Sequence, residues 1–251
     1  MTSNELRFNN YVTDAMAIYK RATEAKSSKN IIRFANNTIK TINQAVKLAP
    51  IIKAKEKIPY LNEFVTLSHA LIAEAHFKNR DLKSAIESFN TAKKYNEKTL
   101  NNQETFIRKC YILSRLLDIT KLQENWIIAD KLARQLFFSS KKLEDSKKAL
   151  KYFISIKDVF IESKNLDFIN KSYSEMLKIC KKKDVLKENP KIVAEIYDDY
   201  AKYVYIVLKK ENSAKKYYKK AESILEGLNL KDEARIIREK IEKIEKNKQR
   251  T

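Results

Sequence analysis

At 251 residues, with 43% hydrophobic and 10% aromatic content, the chain has enough apolar material for a core, which excludes disorder and leaves its 33% charged residues as solvated surface. One Gly and three Pro leave almost nothing for strand turns, bulges or phosphate-cradling loops, and both residues break helix interiors, so the scarcity points to an all-α fold. The formal net charge of +20 suggests an acidic partner, but the excess is spread along the chain and richest after Ala201, as a compositional bias would leave it.

Apolar residues at three and four spacings give about eleven helices separated by short polar turns. The first runs from Leu6 to Lys26, with Phe8, Tyr11, Val12 and Ala15 on one face, and Ser27-Ser28 closes it. Asn30 is expected to cap the second, which carries Ile31, Phe34, Ile42, Ala45 and Leu48 and stops at Ala49-Pro50. A short helical piece follows from Ile51 to Ile58, and Pro59 opens a long helix that reaches Lys78. Asp81 then caps a partner helix, ending near Tyr95, that buries Leu82, Ala85, Ile86, Phe89 and Ala92.

In that pair Ala73, Ala85, Phe89 and Ala92 stand where two packed helices must touch. The pair resembles a tetratricopeptide (TPR) hairpin, a family with a small residue at the eighth place, alanine at the twentieth, an aromatic at the twenty-fourth and alanine at the twenty-seventh. The resemblance implies stacked antiparallel helical hairpins in a right-handed solenoid. A fifth helix, striped by Phe106, Cys110, Leu113 and Leu117, and a sixth, striped by Trp126, Ala129, Ala133 and Leu136, blur the small positions. Phe153, Ile156 and Phe160 lead through Lys164-Asn165 to Ile169, Tyr173, Met176 and Ile179. Here Lys157 and Ile169 replace the small residues, so the helix contact is expected to widen or its register to shift. The Tyr197, Tyr200, Ala201, Val204 helix and the Ala214, Tyr218, Ala221, Ile224 helix restore the pattern.

Turns near Arg80, Lys121, Lys164 and Lys210 recur at intervals longer than the roughly 34 residues of an ordinary TPR unit. Longer helices in this arrangement are similar to those of soluble NSF-attachment proteins, a likeness that implies a role in membrane traffic. A final helix, within a segment 229–249, aligns Leu230, Ala234, Ile237, Ile241 and Ile244 as a seam. The seam reads as an intramolecular cap on the last apolar face, with a homodimer contact as the alternative. Such an array forms one unit without splitting, so a single domain over 1–251 is expected.

Catalysis needs converging groups with tuned protonation, and two histidines, two cysteines and no Gly-rich loop supply none; neither an enzyme nor a cofactor is expected. His69 and His76 stand seven apart on one helix rather than the three or four that lets two rings share an ion, which reads as core packing and no metal site. Cys110 and Cys180 sit singly in apolar stretches and are expected to be reduced. The adjacent pairs Asp198-Asp199 and Glu144-Asp145 read as surface carboxylates, and Asp145 with Lys148 as a weak helical ion pair. Met1 to Phe8 lacks a secretory signal, and no segment approaches the roughly 18 apolar residues that span a bilayer, so a cytoplasmic location is expected.

Stacked hairpins turn their first helices inward and present a groove suited to a peptide or helix. The resemblance assigns its lining to Leu67, Ala70, Glu74, Phe77 and Lys78 in the clearest repeat, and to Glu195, Asp198, Lys202, Tyr205 and Ile206 in the late one. It implies a non-catalytic adaptor or scaffold holding a partner protein segment, with an acidic one favoured by charge. The family's Lys and Asn clamp for a C-terminal carboxylate cannot be assembled from these residues. The rival reading is electrostatic binding of RNA or DNA by Lys181, Lys182 and Lys183 together with Lys215, Lys216, Lys219 and Lys220, with Tyr217 as a stacking ring.

Overall fold

The structure, a computed structural model, describes residues 1–248. Those residues form twelve α-helices: α1 (Ser3–Glu24), α2 (Ser28–Leu48), α3 (Ile58–Lys78), α4 (Leu82–Asn96), α5 (Gln103–Leu122), α6 (Trp126–Ser140), α7 (Ser146–Glu162), α8 (Leu166–Cys180), α9 (Lys183–Glu188), α10 (Pro190–Ile206), α11 (Glu211–Gly227) and α12 (Lys231–Lys248). Neighbours in sequence pack as hairpins, α1 with α2, α3 with α4, α5 with α6, α7 with α8 and α10 with α11. The helices group into two compact units, Met1–Glu144 and one beginning at Asp145.

Small residues hold the hairpins close. Ala15, Ala45 and Ala49 share a cluster with Phe8, Ile42, Leu61 and Val65 in the first unit, while Ala22, Ala35 and Ile72 form a second. Ala73, Ala85, Phe89 and Ala92 are all fully buried, which is the TPR-like contact read from sequence. In the second unit Ala201, Ala214 and Ala221 are buried in the same way between α10 and α11. The helix α12 packs on α11 and buries Ala234, Ile237, Ile241 and Ile244. Residue 249, the last of the segment expected to form this helix, lies outside the described residues.

One turn recurs inside the hairpins. At the end of α3, Arg80 adopts φ 61°, its N–H donates to the Phe77 carbonyl at 3.0 Å, and the Asp81 N–H donates to the His76 carbonyl at 3.0 Å. These two bonds satisfy carbonyls that the helix leaves orphaned, in the Schellman arrangement. Asp81 then accepts from the Ser84 N–H at 3.1 Å and so starts α4. Glu124 (φ 53°) before Asn125 and Lys164 (φ 55°) before Asn165 repeat the device. A side chain in this left-handed conformation costs roughly 1–2 kcal/mol, a cost glycine avoids although it loses more chain entropy on folding. Glu124→Gly is therefore expected to stabilise the first unit by about 0.5–1 kcal/mol in chemical denaturation, whereas Glu124→Val should destabilise it.

Several local expectations change. Ser27, not Asn30, caps α2: its hydroxyl accepts from the Asn30 N–H at 3.3 Å, so the cap lies three residues before the expected one. The piece from Ile51 to Ile58 is a chain of turns ending in a 3-10 segment at Lys55–Lys57, because Lys53 enters the left-handed region at φ 57° and breaks the helical path. Pro59 does occupy the first turn of α3, where its missing N–H costs nothing. Asp145 is more than a surface charge, since it caps α7 by accepting from the Lys147 and Lys148 N–H groups at 3.0 and 3.1 Å.

Candidate functional site

Ionic contacts join successive repeats. In the first unit Glu74 of α3 takes a bidentate pair from Arg115 of α5, at 2.6 and 2.9 Å, and also accepts from the Tyr111 hydroxyl at 2.5 Å. Arg115 reaches Asp118 at 2.9 Å and lies over the Phe77 ring at 4.6 Å. Burial alone would push the Glu74 carboxyl up; Arg115 and Tyr111 outweigh it and hold the group below its ordinary range. Of the five groove residues expected here, Glu74 and Phe77 are thus engaged by α5, Ala70 is buried, Leu67 is half-buried and Lys78 is exposed.

In the second unit the lysine at the family's small position explains itself. Lys157, only 11% exposed, pairs with Asp199 of α10 and with Asp158 at 3.1 Å. The Tyr173 hydroxyl donates to the same Asp199 carboxylate at 3.1 Å. Asp198, one residue earlier, faces the other way and pairs with Lys240 of α12 at 2.7 Å. Both aspartates therefore stitch repeats together, contrary to the surface role read for them. Adjacent helical residues point about 100° apart, which lets one reach the preceding helix and the other the following one. Burial pulls the Lys157 ammonium down, but Asp199 and Asp158 carry it above its ordinary value. A raised folded-state pKa gives stability that is complete below the unfolded value of about 10.5 and lost as pH rises through the folded value. Asp199→Asn is expected to weaken that alkaline limb, Asp158 remaining beside Lys157, in thermal melts taken from pH 8 to 12, and to lower stability by about 1–3 kcal/mol near pH 8, the lower part of the range reflecting the 43% exposure of Asp199.

Beside this bridge the helices part. A cavity of about 540 Å³ opens between the α7–α8 turn and α10, lined by Ile161, Leu166, Ile169, Tyr203, Ile206 and Val207. Lys164 and Lys202 stand at it as well. Ile169, which replaces the small residue of the family's pattern, lines this cavity while itself buried. Four of the apolar groups are substantially exposed: Ile161 43%, Leu166 54%, Ile206 49% and Val207 46%. Lys202 and Ile206 of the expected late groove thus meet at this cavity, and Glu195 lies at a neighbouring one with Ile192 and Met176. Asp198 is drawn toward α12 instead, and Tyr205 is half-buried. Sequence reasoning missed Lys157, Tyr173 and Asp199 as parts of this surface. Their signal was the interval: Glu74 with Arg115 lies 41 residues apart, and Lys157 with Asp199 and Asp198 with Lys240 lie 42 apart.

The basic residues are partly committed. Lys182 donates to the Ser146 hydroxyl at 2.6 Å, Lys215 lies 3.5 Å from Glu245, and Lys220 sits over Tyr197 and Tyr217 at 5.2 and 5.6 Å. Lys181, Lys183, Lys216 and Lys219 are exposed. Tyr217 is not a free stacking ring: it packs edge-on against Tyr200 at 4.7 Å and parallel to Tyr197 at 6.2 Å. The two thiols are buried, and burial pushes Cys110 up to about 11 and Cys180 up to about 12, so both are protonated at neutral pH. His69 stacks on Tyr95 at 5.8 Å and is pulled toward its neutral form by burial. Among the described residues no three His, Cys, Asp or Glu side chains cluster as a metal site, and no helix is long and apolar enough to cross a membrane.

No protein-family model matches the chain, and no curated protein matches it. Among solved structures, BtubC (BKLC) from P. vanneervenii aligns over 91% of this chain and 93% of its own, with a TM-score of 0.51 and 13% identity. A putative kinesin light chain of Podosopora anserina with nearly identical TPR-like repeats aligns over 97% and 99%, with a TM-score of 0.37 and 12% identity. The TPR2AB domain of yeast Sti1, in complex with pHSP90, aligns over 96% and 97%, with a TM-score of 0.24 and 19% identity. The likeness is one of fold. The chain is an all-helical protein of TPR-like repeats, with helices packed in adjacent pairs and ion pairs between repeats.

Proposed function

We propose that the chain is a non-catalytic adaptor that holds a segment of a partner protein in the grooves its repeats leave open. The observation that carries this reading is the cavity between the α7–α8 turn and α10, where Ile161, Leu166, Ile206 and Val207 stay exposed beside two lysines. Contiguous apolar surface rimmed by polar groups marks a place where something docks, because leaving it in water is unfavourable in proportion to its area. The groove positions assigned from the repeat pattern, Lys202 and Ile206 among them, belong to this surface in the proposal.

The test is an affinity capture of the tagged chain from lysate, with and without nuclease, beside an Ile206→Asp variant. Ile206 is half exposed, so the substitution should leave the melting temperature within a few degrees. A protein retained after nuclease by the wild type and lost with Ile206→Asp supports the adaptor reading. Recovery that collapses with nuclease and is unchanged in Ile206→Asp overturns it in favour of nucleic acid held by lysines such as Lys181, Lys216 and Lys219.

A further inference from the structure

The cavity beside α10 continues into two others within the same unit. It shares Tyr173 and Asp199 with a cavity of about 300 Å³ that also touches Ile154, Met176 and Ile192. That one shares Ile154 and Ile192 with a third, of about 400 Å³, reaching Lys147, Leu150 and Lys151. The three lie in a row as one furrow, whose two walls the Lys157–Asp199 pair joins near the middle. Its wall on α7 is the face Leu150, Ile154, Lys157 and Ile161, and its wall on α10 is the face Ile192, Glu195, Asp199, Lys202 and Ile206. From Lys147 to Ile161 a helix rises roughly 21 Å at about 1.5 Å per residue, which sets the furrow's length.

We propose that this furrow receives an acidic amphipathic helix of about four turns. The inference rests on the adaptor reading and names the kind of segment held. Its first ground is the backbone. An extended peptide leaves its N–H and C=O groups to water or to the surface it binds, and this lining offers them a single side-chain amide, Asn189 at one end. A helix arrives with those groups already bonded to one another and asks for apolar contacts, which Leu150, Ile154 and Ile192 supply toward one end and Ile161 and Ile206 toward the other.

The second ground is charge. Lys147 is held by Glu188 and Lys157 by Asp199, so both are neutralised within the chain. Lys151 at one end of the furrow, and Lys164 and Lys202 at the other, have no carboxylate partner among the described residues. Glu195 stands between them, and the nearby Lys191 is taken by Glu233 at 2.8 Å. The furrow therefore carries uncommitted positive charge at its two ends, three lysines against the one carboxylate of Glu195. Lys151 lies near the start of α7 and Lys164 in the turn beyond its end, with roughly 17 Å of helix from residue 151 to residue 162, so a helix with carboxylates near both ends matches the surface.

The experiment uses the full chain and three dye-labelled 18-residue helical peptides with the same leucine stripe, whose flanking positions are all Glu, all Gln or all Lys. Fluorescence anisotropy at low salt is expected to rank Glu tighter than Gln and Gln tighter than Lys, with at least a tenfold gap between the extremes. The gap should shrink in 0.5 M salt, since exposed charges are then screened within a few ångströms. Lys164→Glu with Lys202→Glu is expected to reverse the order, and Ile206→Asp to weaken all three. Equal affinity for the three peptides, or tighter binding of the Lys peptide by the wild type, overturns the acidic assignment while a nuclease-resistant capture keeps the adaptor reading. Peptide binding unaffected by Ile206→Asp places the peptide elsewhere and overturns the furrow as its site.

Discussion

Replacing Arg115 by alanine is expected to destabilise the Met1–Glu144 unit by about 2–4 kcal/mol, a fall in melting temperature of roughly 10 °C. The size follows from what the side chain holds. Its guanidinium joins α5 to α3 through a bidentate pair with Glu74, adds Asp118, and covers Phe77. Arg115 and Glu74 are 24% and 23% exposed, so removing the cation leaves a half-buried carboxylate with only the Tyr111 hydroxyl and the more distant Lys78 to stabilise it. Breaking such a pair on one side costs more than the pair contributed, because the stranded charge was already desolvated. Arg115→Lys should recover less than half, since an ammonium cannot present the planar fork that meets both carboxylate oxygens. The double change Glu74→Gln with Arg115→Ala should be milder than Arg115→Ala alone, and urea titrations of the three variants decide it; equal losses would mean the two residues are not coupled.

The same pair fixes a pH dependence. Glu74 has a folded-state pKa below its unfolded value, so its contribution is fully present above about pH 4.5 and is lost as pH falls through the folded value. Denaturation midpoints measured from pH 7 down to 3 should therefore fall more steeply in the wild type than in Glu74→Gln.

Local rules carried the fold a long way. The Ala73, Ala85, Phe89, Ala92 set located the α3–α4 hairpin because a close helix contact admits only small groups at fixed spacing, and Asp81 marked its turn because an aspartate there satisfies helix N–H groups. The chain from Ile51 to Ile58 misled for the opposite reason: its residues favour helix, and only the left-handed backbone at Lys53 diverts the path. Lys157 was legible as a departure from the pattern and not as a bridge, since its partner Asp199 lies 42 residues away. An adjacent pair such as Asp198-Asp199 says nothing in sequence about which neighbour each will meet. The candidate furrow was legible through Glu195, Lys202 and Ile206 on α10, while its other wall on α7 follows from the stacking of one repeat on the next and has no local signature.

Ala85→Leu is expected to destabilise the first unit by about 1–3 kcal/mol, although leucine is nearly as good a helix former as alanine. Ala85 is fully buried in α4, which packs on α3, where Ala73 is fully buried too. A leucine adds three carbons where no space is open, so the helices must separate or the side chain must leave its preferred rotamer. Separation would also strain the turn at Arg80 and Asp81, whose paired hydrogen bonds fix how the two helices leave it. Lys83→Leu, at an exposed position of the same helix, is the control and should change stability by no more than about 0.5 kcal/mol. Amide exchange should show where the loss falls: protection is expected to drop in α3 and α4 first, because in stacked hairpins each repeat leans mainly on its neighbours. A melting temperature unchanged by Ala85→Leu would mean that α3 and α4 touch in another register, and with it the alignment that places Leu67, Glu74 and Phe77 on one face would fail.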